Sequence, residues 1–177
     1  MLTNEKIAAI HANAVAHGFW EPGSEPTFGE YCALIHEEIS EAFSAWRNNE
    51  PDEYVNDGKP EGVWVELADV VIRIGDLFGA MKLELRSDES AFVGYCSDVR
   101  KMIFEEPNQS FADFTAMIHE FVSRYRADKT KNDTVNLLTT VICIYARAEL
   151  ENIDLDAIID RKCTYNATRP YKHGKRM

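Results

Sequence analysis

Four carboxylates in this chain are spaced to act together. Glu38 and Glu41 form an ExxE pair in "HEEISEAFSAWR" (36–47), and Glu66 and Asp69 form an ExxD pair in "ELAD" (66–69). Residues three apart on a helix share a face. Glu38 falls on one stripe with Leu34, Ile35, Ala42 and Ala45, the side expected to face a core. If the two segments are antiparallel neighbours, all four acids meet across one seam. Like charges away from water repel and take up protons, and a divalent cation removes that cost. The set contains no His or Cys, so it suits Mg²⁺, with Mn²⁺ as a substitute, better than zinc. Such ions keep waters that substrate phosphates can replace. A di-iron carboxylate centre would need Glu-x-x-His pairs. The residues three after Glu38 and Glu66 are Glu41 and Asp69, which counts against that alternative.

The elements that must position these acids read as helices almost throughout. The periodicity predicts helices over 4–19, 28–48, 61–81, 88–104, 111–127, 133–151 and 155–167, with no strong strand pattern. Thr27 with Glu30, and Ser110 with Asp113, are spaced as N-terminal caps of the second and fifth helices. The stretch "NNEPDEYVNDGKPEG" (48–62), with two prolines and two glycines, reads as a loop. The expected fold is all-α: a single domain over 1–177, an antiparallel bundle with a four-helix core made of two similar helical hairpins.

The hairpins are similar because the chain repeats itself. "FGEYCALIHEEIS" (28–40) aligns with "FADFTAMIHEFVS" (111–123) at a constant offset (119 − 36 = 83). "ELADVVIRIGDLFGAMKLEL" (66–85) aligns with "NLLTTVICIYARAELENIDL" (136–155) at an offset of 70. An acid-bearing hairpin over about 28–85 is thus followed by a degenerate one over about 111–155. In the second copy Glu38, Glu41, Glu66 and Asp69 become Phe121, Arg124, Asn136 and Thr139. His36 and Glu37 persist as His119 and Glu120. Persistence where the acids are gone marks His36 as scaffold. Glu37 stays open between a surface acid and a base for water.

Composition narrows the partners. The net charge of −11 disfavours bare nucleic acid and anionic membrane. No long apolar run suggests a signal peptide or a membrane span. Four widely spaced cysteines without a CxxC fit a reduced, cytoplasmic setting, with Cys32 and Cys143 as core thiols. After Asp160 the chain has no acid and turns basic, with Arg161, Lys162, Arg169, Lys172, Lys175 and Arg176. Such a segment (161–177) is either a solvated end or a grip for an anion.

"EEISE" followed by "ELADV" resembles the EExxE…ExxD signature of the all-α, MazG-like nucleoside triphosphate pyrophosphohydrolases, a group related to the dimeric dUTPases. "KCTYNATRPYKHGKR" (162–176) is similar to the K…N..RPYKHGK ending of often phage-borne members. The resemblance covers 28–85 and 153–176, while 86–152 lies outside the usual short pattern. It implies Mg²⁺-dependent cleavage of a nucleotide between the α and β phosphates. Glu38, Glu41, Glu66 and Asp69 would hold metal, and Lys162, Arg169, Lys172 and Lys175 would hold phosphate. Asn166 would touch phosphate or sugar. Asp76 would contact sugar or base, or pair with a cation of the tail, the latter being favoured. The family's habit makes a homodimer an expectation beside a monomeric in-chain bundle. A non-catalytic nucleotide-binding module is the alternative of a different class. The 48–62 loop, flanked by Trp46, Tyr54 and Trp64, is expected to cover the nucleobase.

Overall fold

The computed structural model describes residues 1–23, 25–128 and 134–174. Seven α-helices form among them: α1 (Asn4–Ala16), α2 (Phe28–Arg47), α3 (Val63–Ala80), α4 (Ser90–Glu105), α5 (Phe111–Ala127), α6 (Val135–Leu150) and α7 (Leu155–Asn166). The expected all-α bundle is the fold observed. The start of the predicted 133–151 helix falls partly outside the described residues, since 133 is not among them.

Local chemistry sets the helix ends. Thr27 and Glu30 form the expected capping box on α2, and the Ser110 hydroxyl accepts from the Asp113 amide on α5. The first helix stops three residues earlier than predicted, because Gly18 takes a left-handed φ of 82°. Phe19 N–H then donates to the Ala14 carbonyl and Gly18 N–H to that of Val15, a Schellman closure.

Helix α2 packs on α3 and α5 on α6. The pairs join through α2 with α5 and α3 with α6. Helix α1 rests on α3 as α4 rests on α6, so the contacts of the first three helices recur in the next three. The α2–α5 crossing brings equivalent residues of the two halves together. The rings of His36 and His119 stack with centroids 5.0 Å apart, and their Nδ1 atoms lie 2.8 Å apart. Burial lowers both pKa values, so the pair is neutral and scaffold-like, as the repeat implied. The core is continuous, with Ile35, Ile39, Leu67, Ile74, Phe114, Ile118, Leu137 and Ile144 fully buried. Cys32 and Cys143 lie within it. No helix among the described residues is long and apolar enough to cross a membrane.

The 48–62 loop departs from expectation by containing a β-hairpin, β1 (Tyr54–Asn56) paired antiparallel with β2 (Lys59–Glu61). Its two-residue turn, Asp57-Gly58, has positive φ at both residues (48° and 81°), which is the Asp-Gly hairpin signal. That signal is short and lies among charged residues, so alternation over three-residue strands could not reveal it. At its end Gly62 (φ 123°) lets the amides of Val63 and Trp64 donate to the carbonyls of Pro51 and Asp52, which starts α3.

Candidate functional site

Three of the four acids converge. Oxygens of Glu38, Glu66 and Asp69 lie within 4.8 Å of one another. Glu38 comes from the middle of α2, and Glu66 and Asp69 from the first two turns of α3. Glu38 and Glu66 are buried. Glu41 lines the same cavity but is exposed and stands outside the three-acid cluster, because i+3 rotates it toward the edge of the α2 face. Glu37 is exposed and does not line the cavity, which leaves it as a surface acid.

Cations interleave with the acids. Arg73 Nε donates to Glu38 Oε1 at 3.0 Å. Lys162 Nζ, almost wholly buried, lies 2.7 Å from Asp69 Oδ2 and 3.5 Å from the Pro60 carbonyl of the hairpin. Lys59, at the start of β2, bonds Glu61 at 2.9 Å and faces the cavity. These cations do not neutralise the cluster. Burial, with repulsion from Asp69 against the pull of Arg73, pushes Glu38 up to about 7. Burial and Asp69 push Glu66 up to about 8, against the pull of Lys162. At neutral pH an ion-free cluster therefore holds protons, and the Glu66 carboxylate makes no hydrogen bond to another described residue. An all-oxygen donor set of this spacing and charge fits a hard divalent ion.

The cavity offers about 140 Å³ to the centre of a water molecule. Beyond the acids, α1 supplies a wall of Ile10, Asn13 and Ala14, joined by Phe19 and by Ile72 of α3. Helix α7 contributes Lys162, Cys163, Asn166 and, just past its end, Arg169. The Asn166 side chain is more than nine-tenths buried, and its Oδ1 has no hydrogen-bond partner among the described residues. An orphan acceptor in a polar cavity marks a place for a ligand or water.

Asp76 also lines the cavity, but it pairs differently from the favoured expectation. Its carboxylate accepts from Trp20 Nε1 at 2.9 Å and from the Tyr31 hydroxyl, and it meets His11 Nδ1 at 2.7 Å. No tail cation is among these partners. Burial raises its pKa, opposed by the three partners. The group locks α1 and the α1–α2 connection to α3. Because Gly79 leaves no room between His11 and α3 for even a Cβ, the helices approach closely there. The partners come from three separate segments, which no local pattern in the sequence could disclose. The repeat does carry a trace: Asp76 becomes Ala146 and Tyr31 becomes Phe114, so acid and donor disappear together.

The tail docks on the body. Pro170 follows the end of α7, and Tyr171–Gly174 form one 3₁₀ turn. Lys172 N–H donates to the His17 carbonyl at 2.8 Å, and the Tyr171 hydroxyl donates to Glu21 at 2.6 Å. Tyr171 lies where Gly18 has no side chain. Arg169 reaches the cavity, whereas Lys172 does not line it, because the turn carries it toward residues 17–21. Lys175 lies outside the described residues.

The hairpin meets the cavity at its acidic side through Lys59, and Arg161 clamps it to α7 by a two-pronged bond to Glu53, 2.6 Å at Nε. The aromatics around the loop do not line the acidic cavity. Trp64 is core, and Trp46 stacks between Phe43 and Phe111. The loop reaches the cavity through Lys59, and α1 adds Ile10, Asn13 and Ala14 to its lining. Two site residues, Arg73 and Lys59, were missed by sequence reasoning. An arginine inside "VVIRIGD", replaced by Cys143 in the second copy, was the available signal for the first.

The fold and site together define an all-α bundle with a buried acidic cluster at one end of a mixed polar and apolar cavity. Compared with known proteins, the chain matches no family model, no curated protein and no solved structure.

Proposed function

We propose that the protein is a Mg²⁺-dependent nucleoside triphosphate pyrophosphohydrolase of MazG-like type, acting in the cytoplasm. The observation that carries this reading is the Glu38–Glu66–Asp69 cluster, flanked by Lys162 and Arg73 and facing an apolar wall within one cavity. Acids for an ion, cations for phosphate and an apolar surface for a base are the three requirements of a nucleotide site. Mn²⁺ would substitute for Mg²⁺. Glu38, Glu66 and Asp69 would hold the ion, with Glu41 joining from the rim. When bound, the ion would polarise the phosphates and make a water more acidic. Lys162, Lys59 and Arg169 would neutralise phosphate oxygens, which is most of what phosphoryl transfer asks of a protein. Ile10, Ala14, Phe19 and Ile72 would exclude water around the nucleoside, and the Asp76 network would hold that wall in place. Attack at the α phosphorus would then release the nucleoside monophosphate and pyrophosphate.

The test is a panel of NTPs and dNTPs with Mg²⁺ or Mn²⁺, assaying pyrophosphate and inorganic phosphate separately. Pyrophosphate release that is abolished in Asp69→Asn and Glu38→Gln, with helicity intact, is the expected outcome. Turnover that survives either substitution, or phosphate as the only product, would overturn the site or the bond assignment. Tight nucleotide binding without any turnover would point instead to a binding module.

A further inference from the structure

Arg73 is tethered at one edge and open at the other. A guanidinium has five N–H donors in a fixed plane. The Nε–Glu38 bond is the only hydrogen bond that the Arg73 guanidinium makes to any described residue. The residue lines the cavity, and 24% of its side chain is exposed although it sits among buried neighbours. The tether holds the group by its Nε edge and leaves both Nη nitrogens without a hydrogen-bond partner among the described residues, on a residue that lines the cavity with the acids. A planar pair of donors is suited to two oxygens of one phosphate.

The internal repeat separates this role from a purely structural one. The position equivalent to Arg73 is Cys143, fully buried, on a helix of the same packing. The scaffold therefore does not need an arginine at this point. Arg73 is lost together with the acids at 38, 41, 66 and 69, as expected of a member of the site.

We propose that Arg73 contacts substrate, its Nη pair binding phosphate oxygens next to the ion held by Glu38, Glu66 and Asp69. This rests on the nucleotide reading above. The competing role, holding Glu38 for the ion, predicts a different pattern. A phosphate contact can be removed without weakening the ion, and removing a positive charge beside the cluster should if anything strengthen it. A holder of Glu38 cannot be removed without weakening the ion.

The experiment uses the full chain with Arg73→Met and Arg73→Lys, each checked for helicity and thermal midpoint. Mn²⁺ affinity is read from the free-ion paramagnetic resonance signal. Binding of inorganic tripolyphosphate and of an α,β-imido deoxynucleoside triphosphate is read by calorimetry with Mn²⁺ present. Mn²⁺ affinity is expected to be unchanged or tighter in both variants. Binding of both phosphate probes should weaken about tenfold to a hundredfold in Arg73→Met, the range for a charge-assisted bond. Arg73→Lys should fall between, because an ammonium cannot present two parallel donors. Probe binding by Arg73→Met within twofold of wild type, or a loss of Mn²⁺ affinity that accounts for the probe loss, would overturn the proposal alone. A wild type that binds neither probe would overturn the nucleotide reading, and this proposal with it.

Discussion

Without its ion, the protein should lose stability as the pH rises through neutrality, and Glu66 should be the main cause. Folding moves Glu66 from an ordinary 4.5 to about 8 and Glu38 from 4.5 to about 7. An acid with a raised folded pKa holds a proton that the unfolded chain has released. Stability is therefore intact below the unfolded value, falls across the window from about 4.5 to 8, and is flat above it. At about 1.4 kcal/mol per tenfold, the Glu66 displacement alone is worth about 4 kcal/mol between pH 5 and 8. Water entering the cavity and charge shared with Glu38 and Asp69 should reduce this to about 2–4 kcal/mol. His36 and His119, whose pKa values are lowered, act in the opposite direction near and below pH 6.5, so the wild-type curve alone is ambiguous. The clean measurement is the difference between wild type and Glu66→Gln, which keeps the shape of a protonated Glu66. Urea unfolding at half-unit steps from pH 5 to 8.5, in chelator, should show the variant gaining on wild type by at least about 2 kcal/mol as pH rises. Saturating Mn²⁺ should abolish that gain by stabilising only the wild type. A difference that is flat with pH would refute the protonated cluster, and one unchanged by Mn²⁺ would refute the ion site.

Two backbone substitutions test how the site is held. Gly62→Ala would set a Cβ 2.6 Å from the Pro51 carbonyl oxygen at a φ of 123°, so it should destabilise the fold by about 2 kcal/mol or more. Since it shifts the first turn of α3, which carries Glu66, it should also weaken Mn²⁺ binding; an intact ion affinity would show that α3 does not depend on this cap. Gly18→Ala would press on the Tyr171 ring at a φ of 82° and free the tail. Protease cleavage after Lys172 should become faster, and phosphate-probe affinity should fall while Mn²⁺ affinity holds; unchanged cleavage would show that the tail does not depend on this contact.

The helices and the inward stripe of acids were legible because both rest on the 3.6-residue period and on caps that act within one turn. Glu38 could be placed from Ile35, Ala42 and Ala45 alone. Glu41 could not, since its reach depends on how far the α2 face is covered by α3, a tertiary matter. The hairpin escaped because three-residue strands carry too little alternation, although Asp57-Gly58 announced the turn. Arg73 was hidden by its setting: between Ile72 and Ile74 it reads as an interruption of an apolar run, and only its tether to Glu38, from another helix, shows its orientation. The same holds for Asp76, whose partners come from residues 11, 20 and 31.

The second half of the chain shows what the scaffold does when no site has to be built. Where Asp69 points into the cavity, Thr139 bonds the Val135 carbonyl of its own helix at 2.7 Å. Where Glu41 reaches the rim, Arg124 pairs with Glu120 on the surface at 2.6 Å. Phe121 stands in for Glu38 and packs against the core, while Phe114 and Ala146 replace the Tyr31–Asp76 bond. Thr139 and Arg124 each find a partner within their own helix, Thr139 meeting Tyr95 of α4 as well, and Phe121, Phe114 and Ala146 have no polar side-chain atom to satisfy. The first half does the reverse, holding charged groups whose needs are met only across helices or remain open, as at Glu66. Because the two halves share packing and connectivity, the fold itself cannot be the reason for that difference. The unmet polar capacity gathers in the one cavity that the first half shares with α7, at Glu66 and Asn166, where a cation and an anionic ligand would complete it.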